Sequence, residues 1–110
     1  MAILREWRAE IRRALKDEYV GFVRTNWLAL YRGTPGNLGA SVAVRNLDPQ
    51  RCEIVTLSWR TDLEAIKTFA GVDIAKARYA PEDARFLLTH PLHVRHYDAD
   101  IPQFSHLAGG

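Results

Sequence analysis

Ile3-Leu4-Arg5-Glu6-Trp7-Arg8-Ala9-Glu10-Ile11 sets Ile3, Arg5, Trp7, Ala9 and Ile11 on one side of an extended chain and Leu4, Glu6, Arg8 and Glu10 on the other. That period of two is the signature of a half-buried strand. The second side is unusually charged, so the strand has one face for a core and one for something wetter. From about Arg13 to Tyr31 the period changes. Leu15, Tyr19, Phe22, Val23, Trp27 and Leu30 recur at three- and four-residue steps and predict one apolar stripe on a helix. Asp17 and Glu18 lie near its start, where the helix dipole favours them.

Gly33-Thr34-Pro35-Gly36-Asn37 must end that helix, since Pro35 fixes φ while Gly36 and Asn37 tolerate positive φ. Two strands are expected next, Gly39–Arg45 and Cys52–Trp59, paired antiparallel across Asn46-Leu47-Asp48-Pro49-Gln50. Thr61-Asp62-Leu63-Glu64 fits a capping box and predicts a second helix over Asp62–Ala70. A short helical stretch from Asp73 to Tyr79, a turn at Pro81-Glu82-Asp83 and a last strand over Leu92–Ala99 complete the chain. The order strand, helix, strand, strand, helix, strand predicts an α+β, ferredoxin-like βαββαβ fold with both helices on one face of a four-stranded antiparallel sheet. The other face is left bare, and a two-fold homodimer closes it most simply.

Composition fits this reading. The 110 residues suit a single domain, with a core over 3–99 and a loose tail over 100–110. Cys52 is the only cysteine, so a disulfide scaffold is excluded, and a soluble protein of the reducing cytoplasm is expected. No apolar run is long enough for a membrane span. The sequence pI of 8.9 invites a nucleic-acid reading. However, the twelve Arg and three Lys are interleaved with carboxylates instead of forming a stripe, so no nucleic-acid partner is expected.

Four segments stand out together: Thr34-Pro35-Gly36-Asn37-Leu38-Gly39, Leu57-Ser58-Trp59 with Asp62-Leu63-Glu64-Ala65-Ile66 and Phe69-Ala70-Gly71, Tyr79-Ala80-Pro81-Glu82-Asp83, and Val94-Arg95-His96-Tyr97. In this order they resemble the antibiotic biosynthesis monooxygenase-type proteins of the dimeric α/β-barrel superfamily. The resemblance covers residues 3–99. It implies a protomer whose sheet pairs with that of a second copy to form a barrel, with a small-ligand cavity between sheet and helices. Function within the superfamily ranges over cofactor-free quinol-forming oxygenases, haem-degrading enzymes, polyketide cyclases and members of no known reaction. The haem-degrading branch places an Asn, a Trp and a His where this chain has Trp7, Phe69 and Tyr79. Trp7 cannot accept a hydrogen bond, and Tyr79 would have to ionise to hold iron, so no haem is expected.

The candidate site follows from these placements. Trp7, Trp27, Trp59, Phe22, Phe69, Phe86, Tyr31 and Tyr79 are candidate walls of an aromatic pocket for a small molecule, with Trp7, Trp59, Phe69, Tyr79 and Phe86 the chosen set, although any single one suits plain core packing better. Arg5 shares its strand face with Trp7, and a buried cation there needs a partner. His96 is the candidate general base, its ordinary pKa lying near neutrality, with Arg5 stabilising the anion it generates. A barrel-lining histidine satisfied by its neighbours is the competing reading. His90, His93 and His96 are three apart, but a strand sends His93 and His96 to opposite faces and Pro91 blocks a helix, so no metal site is expected. Cys52 reads as a small core residue.

Two functions stand at this stage. One is a cofactor-independent monooxygenase-like enzyme acting on a small aromatic or polyketide-type molecule, with cyclase or isomerase chemistry by His96 and Tyr79 or Tyr97 as its oxygen-free variant. The other is a non-catalytic ligand-binding or structural barrel. A cavity large enough for a ring beside Trp7 and His96 would discriminate between them.

Overall fold

A computed structural model describes residues 1–62, 64, 77 and 79–101. The first strand, β1 (Ala2–Arg12), is longer by a residue at each end than the alternation alone gives. Its odd-numbered side chains Arg5, Trp7, Ala9 and Ile11 are buried, while Arg8 and Arg12 on the other side are exposed.

The expected single helix is a composite. A 3-10 turn (Arg13–Leu15) leads into α1 (Lys16–Phe22), a wide π segment (Val23–Leu28) follows, and α2 (Ala29–Arg32) ends the rod. Tyr19, Val23, Leu28 and Tyr31 are its buried residues. Val23 and Leu28 are five apart, the spacing that an i→i+5 ladder brings to one side. The Asn26 side-chain amide donates to the Phe22 carbonyl at 2.9 Å, supplying a hydrogen bond at the junction where the ladder changes. Gly36 (φ 82°) has the one positive φ among the described residues, in the turn that ends α2. Its carbonyl accepts the Thr61 amide at 2.9 Å, tying the turn to the end of the third strand.

The middle strands are β2 (Asn37–Asn46) and β3 (Arg51–Arg60). Asp48 builds their connection: one carboxylate oxygen accepts the amides of Gln50 (2.9 Å) and Arg51 (2.8 Å), and the other accepts Arg51 Nε (2.7 Å). This side-chain turn is what Asp favours at such a position. The last strand, β4 (Arg95–Ala99), is shorter than expected, Leu92 to Val94 lying outside it. A 3-10 turn (Pro81–Arg85) precedes it, and Leu87 makes an isolated bridge to Ile11. The expected helices over 62–70 and 73–79 fall, apart from their ends, outside the described residues, as does the tail from 102 onward.

All strand pairs are antiparallel, in the order β2-β3-β1-β4. The result is an α+β arrangement compatible with the ferredoxin-like fold, whose split βαβ units place β1 and β3 centrally. One face of the sheet receives the helical rod and the 81–85 turn. Ala9, Ile11, Cys52 and Ile54 from the sheet meet Tyr19, Val23, Leu28, Phe86 and Leu87 there. Tyr19 stacks on Phe86 with ring centroids 4.6 Å apart.

The opposite face carries Leu4, Val55, Leu57 and Trp59 beside a charged network. Arg8 donates to Glu53 (2.7 Å) and Glu6 (3.3 Å), and Arg45 Nε donates to Glu53 (2.8 Å). The Arg45 hydrogen bond, with the charges of Arg8 and Arg45, holds the Glu53 carboxyl below its ordinary pKa against the opposing desolvation. Surface pairs of this kind add little to stability. No helix among the described residues is long and apolar enough to cross a membrane.

Candidate functional site

The site is built on the helix-covered face, where strand pairing brings β1, β3 and β4 side chains together. Arg5 lies opposite Ser58 on β3 and opposite His96 on β4, so all three project to one side. Two residues along β3, Arg60 falls on the same side. Arg5 is 3% exposed and Arg60 0%. Burial disfavours the charge of both guanidinium groups; the Tyr31 hydroxyl counters this at Arg5, whereas at Arg60 the charge of Arg5 adds to it. The Arg60 guanidinium lies 5.4 Å from the Tyr31 ring centre, and its Nε donates to Ser58 Oγ at 3.4 Å.

His96 is the third member. Burial, and then the fields of Arg5 and Arg60, lower its pKa below the ordinary histidine value, so the imidazole is neutral at pH 7. Its Nε2 is buried and has no hydrogen-bond partner in the structure. A neutral imidazole with a buried, unpaired nitrogen opposite Arg5 combines the residue types that a general base and an anion stabiliser require.

Trp7 and Tyr79 are adjacent to this cluster and locked to each other. Trp7 Nε1 donates to the Tyr79 hydroxyl at 3.0 Å, and that hydroxyl donates to the Pro91 carbonyl at 2.5 Å. The rings meet edge to face, 6.1 Å apart. Burial raises the Tyr79 pKa, the Trp7 hydrogen bond opposes this, and the charge of Asp83 adds to the rise. The phenol is therefore a neutral donor near neutral pH.

The unforeseen centre of the site is Asp83. Only 1% exposed, its carboxylate accepts Tyr19 Oη (2.8 Å), Trp27 Nε1 (3.2 Å) and the Ala80 amide (2.7 Å). Desolvation and the nearby Asp83 charge push the Tyr19 pKa far up, so its hydroxyl remains a donor. Together Arg5, Trp7, Tyr19, Trp27, Tyr31, Thr56, Tyr79 and Asp83 enclose a hollow of about 10 Å³. That holds a single water-sized atom and no ring. Trp27 and Tyr79 also line a larger surface groove of about 310 Å³, with Phe22, Asn26, Leu30, Ala80 and Glu82. The groove is large enough for a small aromatic molecule.

Of the residues singled out from sequence, Arg5 and His96 are brought together, as are Trp7 and Tyr79. Trp59 is not with them, because β3 alternation sends it to the opposite sheet face, where Gly39 lies across from it. Phe86 is buried against Tyr19 and under the Arg85 guanidinium, 4.3 Å from its ring centre, a packing position off the hollow. Phe69 lies outside the described residues. No cluster of three or more His, Cys, Asp or Glu side chains occurs among the described residues. Arg60 was legible by parity, since it continues the inward series Cys52, Ile54, Thr56 and Ser58. Asp83 was legible only as a turn residue. No family model, no curated protein and no solved structure matches the chain.

Asp83→Ala is expected to cost about 3 kcal/mol, because three donors lose a charged acceptor in a buried place, and Asp83→Asn should cost less; urea unfolding monitored by tryptophan fluorescence measures both. A second expectation concerns pH. Below the unfolded-state histidine value of about 6.5, the unfolded chain binds a proton at His96 that the folded chain resists. Folding stability should therefore fall as the pH drops from about 6.5 towards the lower folded pKa, and His96→Gln should flatten that part of the curve.

Proposed function

We propose that the protein is a cofactor-independent, monooxygenase-like enzyme acting on a small electron-rich aromatic or polyketide-type molecule, of the antibiotic biosynthesis monooxygenase type. The observation that carries this reading is the buried, unpaired Nε2 of a neutral His96 opposite Arg5 on paired strands. In the proposed reaction His96 takes the proton of a phenol or enol, and Arg5 steadies the resulting oxyanion. The electron-rich anion then reduces dioxygen directly: one oxygen atom enters the ring as a carbonyl, the other leaves as water, and phenol plus dioxygen gives quinone plus water. The enclosed hollow that Arg5 lines accepts no more than an oxygen-sized atom, and neither Arg5 nor His96 lines the groove beside Tyr79 and Trp27, so the reading requires side chains around the hollow to move to admit a ring.

The same reading takes the working unit to be a homodimer joined through the face bearing Leu4, Val55, Leu57 and Trp59. Support for this is a sheet face that no described helix covers and that mixes apolar side chains with ion pairs able to rearrange across a two-fold axis. Sedimentation equilibrium at micromolar concentration should give twice the chain mass.

A second reading, a non-catalytic small-ligand binder, is favoured by the water-sized volume beside Trp7. The two separate in one experiment, in which hydroxylated anthrones and naphthols are presented aerobically while oxygen uptake and tryptophan quenching are followed together. Turnover that falls at least about 100-fold in His96→Ala supports the enzyme. Saturable quenching without oxygen uptake supports the binder, and turnover unchanged in His96→Ala rejects His96 as the base.

A further inference from the structure

The surface groove of about 310 Å³ has no part in the chemistry above, since neither Arg5 nor His96 lines it. Two elements make its walls. Phe22, Asn26, Trp27 and Leu30 come from the helical rod, and Tyr79 and Glu82 from the run into the 81–85 turn. Asp83 ties the two together by accepting both the Trp27 indole N–H and the Ala80 amide, so the sides of the groove are fixed relative to each other. The same bonds decide what the walls can offer. The Trp27 N–H is spent on Asp83, the Tyr79 hydroxyl on the Pro91 carbonyl and an Asn26 amide hydrogen on the Phe22 carbonyl. What remains is chiefly apolar ring surface, the Asn26 carbonyl oxygen and the exposed Glu82 carboxylate, the only charged side chain on these walls. A second carboxylate lies behind them, because Asp83 is buried and its partners Tyr19, Trp27 and Ala80 are all neutral. The turn's own cation, Arg85, is engaged with Glu18 and lies over Phe86 instead.

We propose that this groove binds a small organic ammonium ion, a primary amine cation on an aromatic or alkyl body. The ammonium N–H groups bond to the Glu82 carboxylate and the Asn26 carbonyl oxygen, and the apolar body lies against Phe22, Trp27 and Leu30. Aromatic rings attract a cation through their quadrupole. An indole that donates to a carboxylate, as Trp27 does, is polarised in the direction that strengthens this attraction. An anion meets the opposite situation, with two carboxylates near it and no lysine or arginine on the walls. A neutral ring gains the apolar contact alone. The inference goes beyond the oxygenase reading, because it concerns a different opening and a different class of ligand.

Calorimetric titration of the full chain at pH 7 with phenethylammonium, the neutral analogue 2-phenylethanol and the anion 3-phenylpropanoate gives the answer. The ammonium ion is expected to bind at least about fivefold more tightly than the alcohol, from a cation against rings together with an ion pair at the surface, and the anion more weakly than either. Glu82→Gln changes an exposed side chain and leaves the Asp83 bonds in place. It should cut the ammonium affinity at least about threefold while leaving the alcohol unchanged, and added salt should weaken ammonium binding to the wild-type chain. Equal affinity for the ammonium ion and the alcohol in the wild-type chain, or no binding of the ammonium ion at millimolar concentration, overturns the proposal without reference to any variant. Retention of the full preference in Glu82→Gln overturns it as well. His96→Ala should leave ammonium binding unchanged, and its loss there would place the site elsewhere and sink the assignment to the groove.

Discussion

Everything on the helix side of the sheet is arranged around one buried carboxylate. Asp83 takes a hydroxyl from α1, an indole N–H from the π segment and a backbone amide from its own turn, so the helical rod and the distant 81–85 turn are joined through two oxygen atoms. A carboxylate out of water is tolerated when its lone pairs are filled in this way. The consequence reaches the site, because Tyr19 and Trp27, held by Asp83, are walls of the hollow and Trp27 is also a wall of the groove. Tyr79, just before the Pro81–Arg85 turn, is fixed separately through Trp7 and Pro91.

Much of the sheet was legible because alternation is a strong signal when one face is wet. Arg5, Trp7, Ala9 and Ile11 shared a face by parity alone, and the antiparallel partners of β1 then fixed His96 beside Arg5. The helical rod was legible in place but not in detail, since apolar residues at three- and four-residue steps describe an ordinary helix and give no warning of the i→i+5 stretch at Val23–Leu28. Trp59 was grouped with the pocket aromatics by residue type, whereas its odd position on β3 sets it with Val55 and Leu57. Asp83 was missed for a physical reason: its role depends on donors 56 and 64 residues away, and only folding brings such groups within reach.

The widened stretch of helix has one more implication. Five-residue ladder steps carry each side chain round the axis by less than ordinary steps do, so the parts of the rod before and after Val23–Leu28 are out of phase. Removing a single residue within it would let the rod wind regularly, but everything downstream would swing round the axis and the Trp27 indole would turn away from its acceptor. Length in this segment is therefore held by rotational phase, and a one-residue deletion there should be far less tolerable than one in the exposed connector at 47–50.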